Sequence, residues 1–312
     1  MLNRRHLRVK VLQSLYAYFQ SGNNNLADGE RELMVGIEKI YDMYLYQLSL
    51  LTELRHQEVL AQDDNKVKFL PTKQDLNPPA HIVENRYLKL VAESKELAVE
   101  CQNHKVNWTN NQVLVRKLLA QVKGRQYYKT YIAGPAAKAE SDLEFFVRLI
   151  MKDIVNFELL HSFYEDNSIY WIDDWELVNL MIVKSIKSVD VENPEGLTLL
   201  KIFKDNDDKV FAVDLFRKTI LNGSKFDTLI AEKAKNWEMD RIAIMDMIII
   251  KMGIIEITSF ANIPLRASLN EYIELAKMYS SPKSRVFVNG ILDKLAFELS
   301  ADYVVKEKKN SN

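Results

Sequence analysis

The 312-residue sequence has one cysteine, Cys101, and only nine glycines and seven prolines. A single thiol can neither close an internal disulfide nor build a cysteine zinc cage, so nothing here asks for an oxidising compartment. So few turn formers exclude a many-stranded sandwich, and 47% hydrophobic content is too high for a disordered chain. The longest apolar run, around residues 248–250, is far short of a bilayer span, and the N-terminus lacks a signal-peptide core. A soluble cytoplasmic protein is expected. The glycines are scattered singly, without a Walker or dinucleotide loop. The five histidines, His6, His56, His81, His104 and His161, lack the i, i+4 pair with an intervening Glu that marks a helical zinc hydrolase. Asp63-Asp64 and Asp173-Asp174 suit loop solvation and helix capping better than metal binding. No catalytic group, metal or cofactor is expected.

Charge is balanced in total, 42 Lys+Arg against 43 Asp+Glu, but not along the chain. Residues 22–205 hold 22 basic and 28 acidic side chains, a net of −6, while the remainder nets +5. The first acidic residue is Asp28, so Arg4, Arg5, Arg8 and Lys10 have no carboxylate near them in sequence. An acidic middle inserted between two basic ends is the organisation this predicts, with a basic tail over 301–312.

Hydrophobic periodicity predicts helices over 3–20, 28–60, 84–102, 108–122, 141–161, 173–188, 210–221, 224–235, 238–257, 264–279 and 284–301. Residues 63–79, with Pro71 and Asn77-Pro78-Pro79, read as a surface connection, and Asn193-Pro194-Glu195-Gly196 as a loop. Ser141 with Glu144 reads as a capping box, and Asp173 or Asp174 as the next cap. No repeat or alternating strand is visible, so the fold class is all-α.

On the first helix Arg4, Arg5 and Arg8 share an arc of about 100°, at about 100° per residue. Val11, Leu12, Leu15 and Phe19 continue the same stripe, which changes from guanidinium to hydrocarbon between its second and third turns. Unpaired guanidinium is costly to bury, so the helix start is expected to hold its arginines in the open. Cations at a helix N-terminus oppose the macrodipole by roughly 0.3–1 kcal/mol each, whereas phosphate would meet both the arginines and the free amides. Tyr16 and Tyr18 could stack on unpaired bases, although packing is an ordinary use for both.

From Trp237 the chain reads WEMDRIAIMDMIIIKMGIIEI, then IPLRASLNEYIELAKMYSSPKSRVFVNGILDK. This resembles the NusB family of transcription antitermination factors. Matching residues are Arg241-Ile242-Ala243-Ile244 with Asp246, Ile263-Pro264, Asn270-Glu271, Glu274-Leu275-Ala276-Lys277, Ser284 and the run from Phe287 through Asn289-Gly290 to Lys294. Arg4-Arg5, Arg8, Gln13, Leu15 and Tyr16 match the family's first helix. The resemblance covers residues 1–21 and 206–300 and leaves the acidic middle, 22–205, without a counterpart.

The resemblance implies two small helical bundles that join the ribosomal protein NusE to bind single-stranded boxA RNA on the elongating RNA polymerase complex. Ribosomal RNA transcription would be the setting, without catalysis. It assigns RNA contact to Arg4, Arg5, Arg8, Tyr16, Arg266 and Phe287, and Lys283 and Arg285 add charge where relatives are more acidic. Leu265 departs from the aromatic or polar residue common beside Pro264. Arg241 and Glu274 could pair in the core or serve the NusE interface. Asn289-Gly290 has helical flanks, so a helix is expected there rather than a hairpin. Two other readings remain open at this point. One is a protein-interaction scaffold formed by the middle region. The other is an RNA methyltransferase relative, for which the chain lacks strands and Gly-rich turns.

Overall fold

The computed structural model describes residues 2–22, 24–136, 138–190, 197–234 and 242–310, with side chains described through 296 and at 298. The described residues form helices and no strand. In chain order these are α1 (Arg4–Gln20), α2 (Leu26–Lys66), α3 (Lys73–Leu76), α4 (Arg86–Ala92), α5 (Lys95–Asn103), α6 (Gln112–Gly124), α7 (Gln126–Ala133) and α8 (Ala139–Arg148). There follow α9 (Glu158–Asn167), α10 (Trp175–Lys187), α11 (Asn206–Leu221), α12 (Gly223–Lys233), α13 (Ile244–Ser259), α14 (Leu265–Tyr279) and α15 (Pro282–Asn310). The chain forms two compact units, one made of Met1–Ile37 with Phe203–Asn312 and the other of Glu38–Ile202.

The first unit is built around α13. Ile248, Ile249, Ile250, Met252, Ile254 and Ile255 are all buried, the all-round apolar pattern of a central helix. It packs on α1, α11, α14 and α15. At Gly253 a Cβ would lie 2.8 Å from Leu292 and 3.4 Å from Tyr272, so glycine is what lets α15 and α14 close on α13. The start of α2 also belongs to this unit, which parts from the other at Ile37 rather than near residue 22. Leu33 and Ile37 are buried, and a Cβ at Gly29 would lie 2.8 Å from both Tyr18 and Phe216. Asn289-Gly290 lies inside α15, as its flanks indicate. That helix runs to Asn310 through the expected tail, where no glycine or proline stops it.

The second unit is held by two buried carboxylates. Asp142 accepts from the Tyr131 hydroxyl at 2.6 Å and the Arg86 amide at 3.1 Å, while Asn85 caps α4 and donates to the Asp142 carbonyl. Asp153 accepts from Tyr127 at 2.6 Å, Arg125 at 2.7 Å and Gln121 at 3.0 Å. Burial, reinforced by these carboxylates, pushes both tyrosine hydroxyls well above their ordinary range. In both clusters each carboxylate oxygen accepts from a donor.

Several expectations are corrected here. The stretch 84–102 is two helices, because Ser94 accepts from the Leu97 amide and starts α5 afresh. The stretch 141–161 is α8, a π-helical segment at Leu149–Ile154, and α9. Ser141 is not a cap: α8 begins at Ala139, so the Ser141 hydroxyl turns back to the Lys138 carbonyl and Glu144 pairs with Arg148. Asp174 occupies the N-cap position of α10 without a side-chain capping bond. Helix α7 was not anticipated; its Tyr128 and Tyr131 are buried. The Asn193-Pro194-Glu195-Gly196 loop lies outside the described residues. None of the described helices is long and apolar enough to cross a membrane.

Candidate nucleic-acid interface

Helix α1 is capped by Asn3, whose side chain accepts from the His6 amide while the His6 ring accepts from the Asn3 amide. Burial, aided by Arg5, holds His6 below the usual imidazole range. The arginines that follow are not open, contrary to the expectation from the helical wheel. Each faces a carboxylate supplied from far along the chain.

Arg8 is the clearest correction. Its side chain is 5% exposed and forms a two-pronged bond to Glu256 of α13 at 2.7 Å and 2.7 Å. Ser268 and Tyr272 of α14 donate to the same carboxylate at 2.6 Å and 2.9 Å. Burial opposes charge on Arg8, but the bond and charge of Glu256 prevail and raise its pKa. Burial and Glu256 likewise push Tyr272 well above the ordinary phenol range. A guanidinium so enclosed ties α1, α13 and α14 together and is closed to a strand outside. Lys10 is buried as well. Phe287, 3% exposed, is a core side chain of α15 and offers no face for a base to stack on.

Arg4 and Arg5 are different. Arg5 is 50% exposed and grips Glu271 of α14 at 2.7 Å and 2.9 Å. This bond raises the Arg5 pKa and holds Glu271 below its ordinary value. Arg4 is 32% exposed, makes one bond of 3.2 Å to Asp208 of α11, and lies 5.1 Å from the Phe211 ring centre. Both retain an outer edge from which N–H groups can reach solvent.

The pairings also orient the elements. Arg5 meets Glu271, and the Gln13 amide donates to the Tyr279 hydroxyl at 3.3 Å, so α1 runs alongside α14 in the same direction. Arg266 therefore stands at the end of α14 nearer Arg4 and Arg5, and Lys283 and Arg285 follow its other end, at the start of α15. Tyr16 is exposed on α1, its hydroxyl accepting from Gln20. Arg266, Lys283 and Arg285 are exposed and make no ion pair among the described residues. The interval along α14 is about 22 Å at about 1.5 Å per residue, long enough for several nucleotides of single strand.

Of the two partner-contact expectations, Glu274 is half-buried and paired with Lys277, and Arg241 lies outside the described residues. Sequence reasoning missed Glu256, Glu271 and Asp208 as the arginines' partners. One signal was available: Glu256 is a lone carboxylate in the run GIIEI, where burial demands a cation. Cys101 in the other unit is a poor nucleophile, since burial pushes its thiol up to about 11.

Exposed cations at both ends of α14 make this all-helical unit a candidate polyanion-binding protein, and comparison with known proteins gives the family. Residues 180–297 match the NusB family. The protein named transcription antitermination protein NusB of Salinibacter ruber is 37% identical over 104 residues, 33% of this chain and 65% of its own length. Those of Geotalea uraniireducens and Fervidobacterium nodosum are 33% and 34% identical, over 37% and 43% of this chain and 89% and 92% of their own lengths. The chain belongs to the NusB family. Its N-terminal region is extra to the matched domain. No solved structure matches the chain.

Proposed function

We propose that this protein is a cytoplasmic, non-enzymatic transcription antitermination factor that binds boxA-like single-stranded RNA together with NusE and acts on the elongating RNA polymerase complex during ribosomal RNA synthesis. The relatives' shared name and these exposed cations support this reading. The observation that carries it is the exposure of Arg266, Lys283 and Arg285 without carboxylate partners among the described residues, on helices whose first turns contain no acid. Helix stability does not favour cations there, and a phosphate chain does. In this reading Arg4, Arg5 and Tyr16 border the same strand, while Arg8 and Phe287 hold the scaffold that presents it. The domain comprises α1 and the helices from α11 onward. The family match begins at residue 180, so the inclusion of α1 is supported by its packing on α11 and α13.

Titration of boxA-like RNA, with and without NusE, tests the proposal. Replacing Arg266, Lys283 and Arg285 together by alanine is expected to weaken binding and lower the log–log salt slope by about two, at about 0.7 per lost phosphate contact. Absence of RNA binding by the unmodified protein, or unchanged affinity and slope in the triple variant, contradicts it.

A further inference from the structure

The three α1 arginines form a graded series, and what each carboxylate keeps after losing its arginine distinguishes them. Arg8 cannot leave Glu256 without stranding a fully buried carboxylate. Glu271 is in a different position. Should Arg5 turn outward, the Glu271 carboxylate still has Arg8 3.7 Å away, and its side chain is 20% exposed to water. Asp208 sits in the first turn of α11, where the helix dipole stabilises negative charge with or without Arg4. Arg4, for its part, lies 5.1 Å from the Phe211 ring centre.

We propose that Glu271 and Asp208 are internal competitors at the RNA site: they occupy Arg5 and Arg4 in the free protein and set the affinity of a strand that must displace them to reach both arginines. This rests on the RNA-binding reading above. A carboxylate and a phosphate present the same two-oxygen face to guanidinium, so the strand replaces Glu271 at Arg5 with like geometry. An arginine already paired gives little to any passing polyanion, because part of each contact is offset by the bond released. A strand held also by Arg266, Lys283 and Arg285 gains enough elsewhere to make the exchange. The carboxylates therefore lower the affinity of any strand that takes up Arg4 and Arg5, by the bond released.

The experiment compares the full-length protein with Glu271→Gln and Asp208→Asn, measuring affinity for boxA-like RNA and for a scrambled strand of equal length across a salt series. Both variants are expected to bind boxA-like and scrambled RNA several-fold more tightly than the parent does, with a salt slope for scrambled RNA steeper by about 0.7. Adding Arg5→Ala to Glu271→Gln, or Arg4→Ala to Asp208→Asn, is expected to cancel the gain. Unchanged or weaker scrambled-RNA binding in a variant that melts like the parent overturns the proposal, as does a gain that survives removal of the arginine. Should Glu271→Gln not fold, Asp208→Asn decides by the same outcomes, and misfolding of both overturns the proposal by making the pairs anchors. If the parent protein binds neither RNA, the functional reading fails first; if it binds and the variants match it, only this inference fails.

Discussion

Some helices of the two units begin in opposite ways, although α11 and α13 of the first unit also start with acids and α4, α6 and α7 of the second do not. In Glu38–Ile202, helices α5, α8, α9 and α10 carry Glu96, Glu140 with Asp142, Glu158 and Glu176 in their first turns, where the macrodipole favours negative charge. In the other unit α1, α14 and α15 carry Arg4 and Arg5, Arg266, and Lys283 with Arg285 at the same place, with no acid. The first pattern serves the helix. The second works against it unless a negative group meets the cations: Asp208 and Glu271 do so for Arg4 and Arg5, while Arg266, Lys283 and Arg285 have no ion-pair partner among the described residues.

The largest expected effect lies where the binding unit uses charge for folding. Arg8→Met leaves Glu256 buried without a cation and should destabilise the unit by about 3–5 kcal/mol, read by chemical denaturation. A loss below 1 kcal/mol would return Arg8 to the surface role that its helical phase suggested. Next in size is Gly29→Ala, whose methyl would press on the Tyr18 and Phe216 rings; overpacking of this kind costs about 1–3 kcal/mol, seen as a lower melting temperature.

A pH series sharpens the comparison further. The folded-state pKa of Glu271 lies below its ordinary 4.5, so the Arg5 pair stabilises the protein above that pH and the contribution disappears as pH falls through the depressed value. Glu271→Gln should therefore flatten the acid limb of the stability curve, and an unaltered limb would show the pair to be energetically idle. The smallest effect is expected at Arg148→Ala, which removes an exposed i, i+4 pair with Glu144 and should change stability by no more than about 0.5 kcal/mol.

Much of the fold is legible in the sequence because apolar spacing dictates it. Helices α1, α11 and α14 fall within a few residues of their expected spans, since each has apolar residues at helical spacing and a clear stop. Boundaries were lost where a local side chain decides them, as at Ser94, or where helix geometry changes pitch, as at Leu149–Ile154. The site was harder to read. Periodicity gives the direction in which Arg8 points but not whether a carboxylate waits there, because Glu256 is 248 residues away. Phe287 follows its apolar spacing into the core. By contrast, Arg266 came from the family resemblance and Lys283 and Arg285 from this chain's departure from it, and all three are exposed.

In the proposed site the arginine stripe of α1 divides into an exchangeable outer pair and a fixed inner anchor. Side-chain Nε–Hε NMR signals of Arg4, Arg5 and Arg8, followed while boxA-like RNA is added to the intact protein, test it without any substitution. The account predicts that the Arg4 and Arg5 signals move as their bonds pass from Asp208 and Glu271 to phosphate, while Arg8 stays in place. Movement of Arg8, or stationary Arg4 and Arg5 signals at saturating RNA, would contradict it.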